Sequence, residues 1–220
     1  MYVHEFQAKE LLKQSGVPVP LGIPMTSVAE VKAAYHQLTS HSYHGIVAVK
    51  AQIHAGGRGE AGGVKIVKSL TEAEDATRSL LGSTLVTRQT GVDGKMVHTV
   101  YLEAGCHITS EYYLSFSVDR SSGKVALLFS AEGGMDIEDV AEKHPEKLVK
   151  LFLDYDRGIA SYHTWQLQHL SALPPSLVPS LHETLVQLFK VFKTYDLLQL
   201  EINPLALLSE QSFTVLDAKL

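Results

Sequence analysis

The feature that most constrains this chain is the passage from Ile46-Val47-Ala48-Val49, a short apolar strand, directly into Lys50 and then into the glycine-dense stretch Ala55 to Gly63. A helix does not tolerate so many glycines, and the strand-like Val64-Lys65-Ile66-Val67 that follows predicts a strand–loop–strand unit. Glycines let backbone N–H groups surround an anion without side-chain clashes, and turn-rich segments form anion-binding nests. Lys50, leaving a rigid strand, suits a phosphate as a point charge, and Arg58, flanked by Gly57 and Gly59, suits one as a fork. The spacing is neither the P-loop pattern nor the dinucleotide fingerprint, and by itself it also fits a connecting loop with solvated charges.

The remaining pattern is mixed. Residues 4–15 read as a helix, with Phe6, Ala8, Leu11 and Leu12 on one side and Gly16 as its stop. Ser27…Glu30 and Thr71…Glu74 have capping-box spacing and predict helices to about Leu38 and Leu81. Residues 97–103, 111–118 and 125–130 read as strands, the last two joined at Ser121-Ser122-Gly123. Residues 136–143 are predicted helical, 154–180 mostly loop with one short helix, and 181–195 a firm helix. The end reads as a hairpin, 198–207 and 213–217, turning near Glu210. The class is α+β or mixed α/β.

The formal net charge of −5 leaves no basic footprint for nucleic acid. No apolar run reaches the length of a membrane span, so no membrane partner is expected. The single cysteine, Cys106, excludes an intrachain disulfide and fits a reducing compartment. The first residues lack the basic and apolar regions of a secretory signal. The expected setting is therefore cytoplasmic, or the mitochondrial matrix in a eukaryote.

Two further constellations carry possible chemistry. Alternation puts Leu198, Leu200 and Ile202 on one strand face and Gln199, Glu201 and Asn203 on the other. With a hairpin tip at Glu210, Asn203 lies opposite Asp217, and paired oxygen ligands of this kind suit Mg²⁺. Asp217 shares parity with Phe213 and Val215, so the strand must twist or end there. Surface polar residues on an amphipathic hairpin fit the same pattern. Glu103 and Glu111 flank a connection able to hold a ribose hydroxyl or an adenine amino group, and equally fit solvated loop charges. His54 lies between the lysine and the glycines, though a lone histidine is more often structural than catalytic. No zinc spacing and no GxSxG elbow are present.

Taken together, several collinear segments resemble the β subunit of succinyl-CoA synthetase, an ATP-grasp protein. They are His4 to Leu12, Val49 to Gly59, Leu85 to Thr90, Val118 to Ser122, Glu132 to Glu138, Leu200 to Leu205 and Leu216 to Lys219. The resemblance implies an ATP-grasp fold of two α/β lobes enclosing a nucleotide site. Roughly residues 21–100 would form the smaller lobe and 1–20 with 101–220 the remainder. It implies ATP/ADP and Mg²⁺ as cofactors. Lys50, Gly57, Arg58 and Gly59 would contact phosphates and nucleotide; Glu103, the backbone near Cys106, and Glu111 would hold adenine and ribose. Asn203 and Asp217 would ligate Mg²⁺, and Glu201 would meet a phosphohistidine loop.

That loop would come from an α-type partner subunit, which also carries the CoA-binding site, with succinate or a related dicarboxylate as co-substrate in a step of the tricarboxylic acid cycle. Pro20 resembles the residue of ATP-using members. Glu60 stands where the family commonly has lysine, and Cys106 and Ser110 also depart from its usual residues. Family members continue into a carboxy-terminal CoA-ligase domain, so nucleotide binding rather than full turnover is expected of these residues. The alternatives are a malate–CoA ligase or ATP-citrate lyase component, a free-standing carboxylate–amine ligase, and a non-catalytic nucleotide-binding or interaction module.

Overall fold

The computed structural model describes residues 3–208 and 212–220, so the predicted turn at Glu210 lies outside the described residues. The chain forms two compact units, residues 1–6 with 20–107 and residues 7–19 with 108–220. The α+β class expected from the pattern is the one found. Among the described residues no helix is long and apolar enough to cross a membrane.

Helix α1 (Glu5–Gln14) buries Ala8 and Leu12 and ends at Gly16, whose φ of +82° permits the left-handed turn that returns the Val17 N–H to the Leu12 carbonyl. The first unit is a four-stranded antiparallel sheet in the order β1–β6–β2–β3. Its strands are β1 (Gly22–Met25), β2 (Val47–Gln52), β3 (Val64–Val67) and β6 (Thr99–Ala104), with a separate short pair, β4 (Thr84–Leu85) and β5 (Lys95–Met96). Helices α2 (Val31–Thr39) and α3 (Leu70–Leu80) cover one face. Strand alternation decides which residues meet them: Val47, Val49, Ala51, Val100, Leu102 and Ala104 enter the core. Lys50, Gln52, Tyr101 and Glu103 take the opposite parity.

The caps differ in detail from the pattern. Ser27 caps a short 3₁₀ turn, Val28–Glu30, before α2 begins. The cap of α3 is Ser69 with Glu72, two residues earlier than Thr71 with Glu74: Ser69 Oγ accepts from the Glu72 N–H, and Glu72 Oε2 from the Lys68 N–H.

The second unit is a sheet in the order β11–β10–β7–β8–β9, with β12 also paired to β10. Strand β7 (Ile108–Asp119) and β8 (Lys124–Ser130) form the predicted hairpin, closed by Asp119 accepting from Ser121 and Ser122. Strand β9 (Leu148–Leu153) edges the sheet where the pattern assigns no element. Its run Leu148-Val149-Lys150-Leu151-Phe152-Leu153 is short and broken by the exposed Lys150, a charge that suits an edge strand. Strands β10 (Gln199–Leu208), β11 (Phe213–Val215) and β12 (Ala218–Lys219) complete it. Helix α4 (Ile137–Lys143) is the one predicted, and α5 (Ser161–Leu170) is the short helix expected within 154–180. Helix α6 (Val178–Thr194) starts earlier than expected, because Pro179 sits in its first turn, where its missing N–H costs nothing. Phe189 and Phe192 of α6 meet Phe116 of β7 at ring distances of 5.4 and 6.0 Å. Leu200 and Ile202 are buried as predicted, whereas Leu198 precedes the strand and is 70% exposed.

Candidate functional site

In the first unit, register brings together residues that lie far apart in the chain. Lys50 on β2 is opposite Tyr101 on β6, which places Glu103 diagonally beside it. The Lys50 Nζ lies 2.7 Å from Glu103 Oε1 and 3.0 Å from Glu5 Oε1. Arg58 reaches the other oxygen of Glu5 at 2.8 Å and donates to the Ala51 carbonyl at 2.8 Å. Gln52 Nε2 donates to Glu5 Oε2 at 3.1 Å, and its own Oε1 accepts from the Phe6 N–H. The expected picture of Lys50 and Arg58 as loop cations aimed at an incoming phosphate therefore changes. Both are buried, and both are ion-paired to carboxylates. The pattern missed Glu5 as the hub; its position in the first turn of α1 was the available signal, but nothing local connects it to Lys50.

Gly57 and Gly59 lie exposed in the loop, Gly57 with φ +71°. The Gly56 N–H donates to Gln89 Oε1 at 2.7 Å, which ties the glycine loop to the Leu85–Thr90 segment. Glu60 is exposed, and His54 stacks on His4 with 4.0 Å between ring centroids. Burial, with the nearby His54 and Arg58, holds the His4 imidazole below its usual range. Cys106 is half-buried and free of disulfides; the preceding Gly105 is pinned by its N–H to the Ile46 carbonyl and by its carbonyl to the Tyr43 N–H.

In the second unit Asn203 and Asp217 do face each other. The pairs Leu205↔Val215 and Ile202↔Ala218 bracket them, and the Asn203 N–H donates to the Asp217 carbonyl at 3.2 Å. The strand ends as the parity of Asp217 requires: β11 stops at Val215 and β12 starts at Ala218. The Asn203 amide is oriented from both ends, its Oδ1 accepting from the Gly134 N–H and its Nδ2 donating to the Met135 carbonyl, each at 2.8 Å. One lone pair of Oδ1 is left for a cation. The Glu132–Met135 segment docks through the Gly133 N–H on the Glu111 carbonyl and through Glu132 on Lys147 at 2.7 Å.

Glu201 stands opposite Ser115 on β7 and Lys219 on β12. Burial raises its carboxyl above the usual range; Asp217 and Asp136 push the same way, against Lys219 and the Gln199 amide. Glu138 is raised by its hydrogen bond with Asp136, by burial and by the charges of Asp136 and Glu201. Glu201, Asp217, Asp136 and Glu138 thus cluster at this end of the sheet, with Lys219 as the cation acting on Glu201. Among the described residues no group of three or more His, Cys, Asp or Glu is placed to hold a metal ion by itself. Asn203 and Asp217 each carry a hard oxygen donor of the type that Mg²⁺ takes.

The raised carboxyl of Glu201 has a pH consequence. It binds its proton more tightly in the folded chain, so its contribution to stability is lost as pH rises from the ordinary value of 4.5 through the raised folded value. Glu201→Gln should remove that slope and stabilise the protein at neutral pH by about 1 kcal/mol. Urea midpoints measured across this range check it; identical slopes in the two proteins would refute it.

One unit is a sheet carrying a glycine-rich loop, and the other carries a carboxylate–amide pair at a strand break. The ATP-grasp domain model matches residues 2–207, and the chain belongs to that family. Over its whole length it is 44% identical to the β subunit of succinate–CoA ligase [ADP-forming] from Wolbachia sp. subsp. Brugia malayi and to that from Alkaliphilus oremlandii. It spans 56% of the length of each of these curated relatives. Among solved structures it is similar in fold to acetyl-coenzyme A synthetase 1 of Ca. Korarchaeum cryptofilum, described as dinucleotide forming and solved with coenzyme A, acetyl-coenzyme A and a phosphorylated phosphohistidine segment. The TM-score is 0.72 at 15% identity, covering 99% of this chain and 92% of that one. ATP citrate lyase from Methanothrix soehngenii gives 0.67 at 18% identity, covering 99% and 50%.

Proposed function

We propose that the chain is the Mg-ATP/ADP-binding component of an ADP-forming succinate–CoA ligase, acting in the cytoplasm with an α-type subunit that carries the phosphorylated histidine and the CoA site. The observation that carries this reading is the pairing of Asn203 with Asp217 at the break between β11 and β12, on a chain similar along its whole length to those β subunits. A bound Mg²⁺ would supply neutralisation of nucleotide phosphate charge. Asn203 and Asp217 hold it; Lys50, Arg58 and the backbone of Gly57 and Gly59 receive phosphates. Glu103, Glu111 and the backbone at Cys106 orient adenine and ribose. Glu201 meets the partner's phosphohistidine loop, its raised pKa making it responsive to that charge.

The phosphate role carries an electrostatic condition. Lys50 and Arg58 are already balanced by Glu5 and Glu103, so phosphates compete with these carboxylates for the two cations. This favours a second reading, a nucleotide-binding module that passes no phosphoryl group on, to which the exposed Glu60 adds. Calorimetric titration of the chain with Mg-ADP and Mg-ATP tests both, followed by labelled ATP with a succinate–CoA ligase α subunit. Binding and label on the partner's histidine are expected. Binding without transfer leaves the module; no binding by the folded chain sinks the nucleotide reading.

A further inference from the structure

We infer that Gln89 is a positioning residue for the glycine-rich loop, holding its backbone in the shape that receives nucleotide phosphates. The inference rests on the reading of Gly57 and Gly59 as phosphate contacts. Five of the eight residues from Gly56 to Gly63 are glycine. Glycine loses more conformational freedom on ordering than any other residue, so an anion cradle built from it needs something to hold it. The second half of the loop is closed by its own backbone. The Ala61, Gly62 and Gly63 N–H groups donate to the carbonyls of Gly57, Gly59 and Arg58 at 3.2, 3.1 and 2.7 Å. The first half lies against the segment that follows β4.

That segment keeps a strand's alternation: Leu85 and Thr87 are buried, Val86 and Arg88 exposed. Three residues two apart, Leu85, Thr87 and Gln89, meet the loop in turn. A Cβ at Gly63 would stand 2.5 Å from Leu85 Cδ2, and one at Gly57 would stand 3.8 Å from Thr87 Cβ. Gln89 makes the third contact, its Oε1 accepting from the Gly56 N–H at 2.7 Å. The first two contacts set only how closely the loop approaches. The third sets a direction, because the Gly56 nitrogen belongs to a rigid peptide plane, the one that enters the loop. Gln89 is itself held: its N–H donates to Thr87 Oγ1 at 3.2 Å, and the Thr87 N–H donates to Thr90 Oγ1 at 2.9 Å. With one end of the loop tied to Gln89 and the other closed on itself, the Gly57–Gly59 backbone is fixed from both sides. A loop ordered before the ligand arrives spares binding the cost of ordering it.

The test compares the wild-type chain with Gln89→Met, which keeps the bulk of the side chain and removes its strong acceptor. Gln89 is exposed, so the fold should be unaffected, as a melt checks. By calorimetry the Kd for Mg-ADP should rise about three- to tenfold, the worth of one hydrogen bond. Adenosine, which has no phosphate for the loop to receive, should bind as it does to the wild type. Hydrogen exchange on the ligand-free chain should show the Gly56 amide exchanging faster in Gln89→Met. Gln89→Glu keeps an acceptor at the same reach and should retain the slow exchange. An unaltered or tighter Kd for Mg-ADP in Gln89→Met would overturn the proposal. So would an equal loss of adenosine binding, an unaltered Gly56 exchange rate, or fast exchange in Gln89→Glu. A wild-type chain that binds neither Mg-ADP nor adenosine sinks the nucleotide reading itself, and this inference with it.

Discussion

Replacing Lys50 with alanine is expected to destabilise the protein by about 3–5 kcal/mol, before any effect on a ligand is considered. The substitution removes the cation lying 3.0 Å from Glu5 and 2.7 Å from Glu103, both carboxylates being nearly inaccessible to water. Glu5 retains Arg58 and Gln52. Glu103 loses a 2.7 Å charge-assisted bond, and two negative groups are left buried around the vacated space. Replacing such a pair with apolar residues can be nearly neutral, whereas orphaning one member is not. The double variant Lys50→Ala/Glu103→Gln should therefore recover part of the loss, since it removes the charge that Lys50 balances. Urea unfolding checks both; a loss below about 1 kcal/mol for the single variant would mean that the network behaves like a surface pair. The result also governs how binding experiments are read. Loss of Mg-ADP binding by Lys50→Ala counts as loss of a phosphate contact only where a melt shows the variant folded.

Gly133→Ala should cost about 2–3 kcal/mol and at the same time weaken Mg²⁺-dependent nucleotide binding by about tenfold. A Cβ at Gly133 would stand 2.4 Å from the Tyr112 nitrogen, 2.5 Å from the Glu111 carbonyl carbon and 2.6 Å from the Tyr112 carbonyl carbon. These are backbone atoms in β7, paired there with β10, so they cannot step aside as a flexible side chain would. The loop must lift instead, and three hydrogen bonds go with it. They are the Gly133 N–H to Glu111, the Gly134 N–H to Asn203 Oδ1, and Asn203 Nδ2 to Met135. The last two orient the Asn203 amide, which is how a packing defect would reach the proposed cation site. Denaturation with calorimetry of the same preparation tests the coupling. A destabilised variant with unaltered Mg²⁺ dependence would show that Asn203 holds its orientation without the loop.

The two sites were unequally legible. Asn203 and Asp217 were within reach because a hairpin is local: alternation and one turn position set their register, even with the turn itself outside the described residues. Lys50 was read as leaving its strand after Val49, whereas β2 runs on to Gln52 and holds Lys50 within the ladder with β6. Glu5 was not found, since no period connects the first turn of a helix to a lysine 45 residues later. Strand β9 was missed because an edge strand interrupted by Lys150 shows neither the clean alternation of a half-buried strand nor the length of a helix. The burial of Lys9 was not legible either, since the Leu216 carbonyl it reaches lies 207 residues away.

The sequence by itself determined the mixed helix–sheet class, most elements, the facing pair Asn203–Asp217 and the resemblance that the family match bears out. These follow from repeats of two and 3.6 residues and from turn chemistry, which neighbours a few positions apart control. Only the tertiary structure decided that Lys50 and Arg58 are buried and ion-paired rather than open to solvent, that Glu5 joins them, and that Lys9 grips the Leu216 carbonyl. The reason is that burial and charge balance depend on which distant segments the register brings face to face, and no stretch of sequence contains both partners.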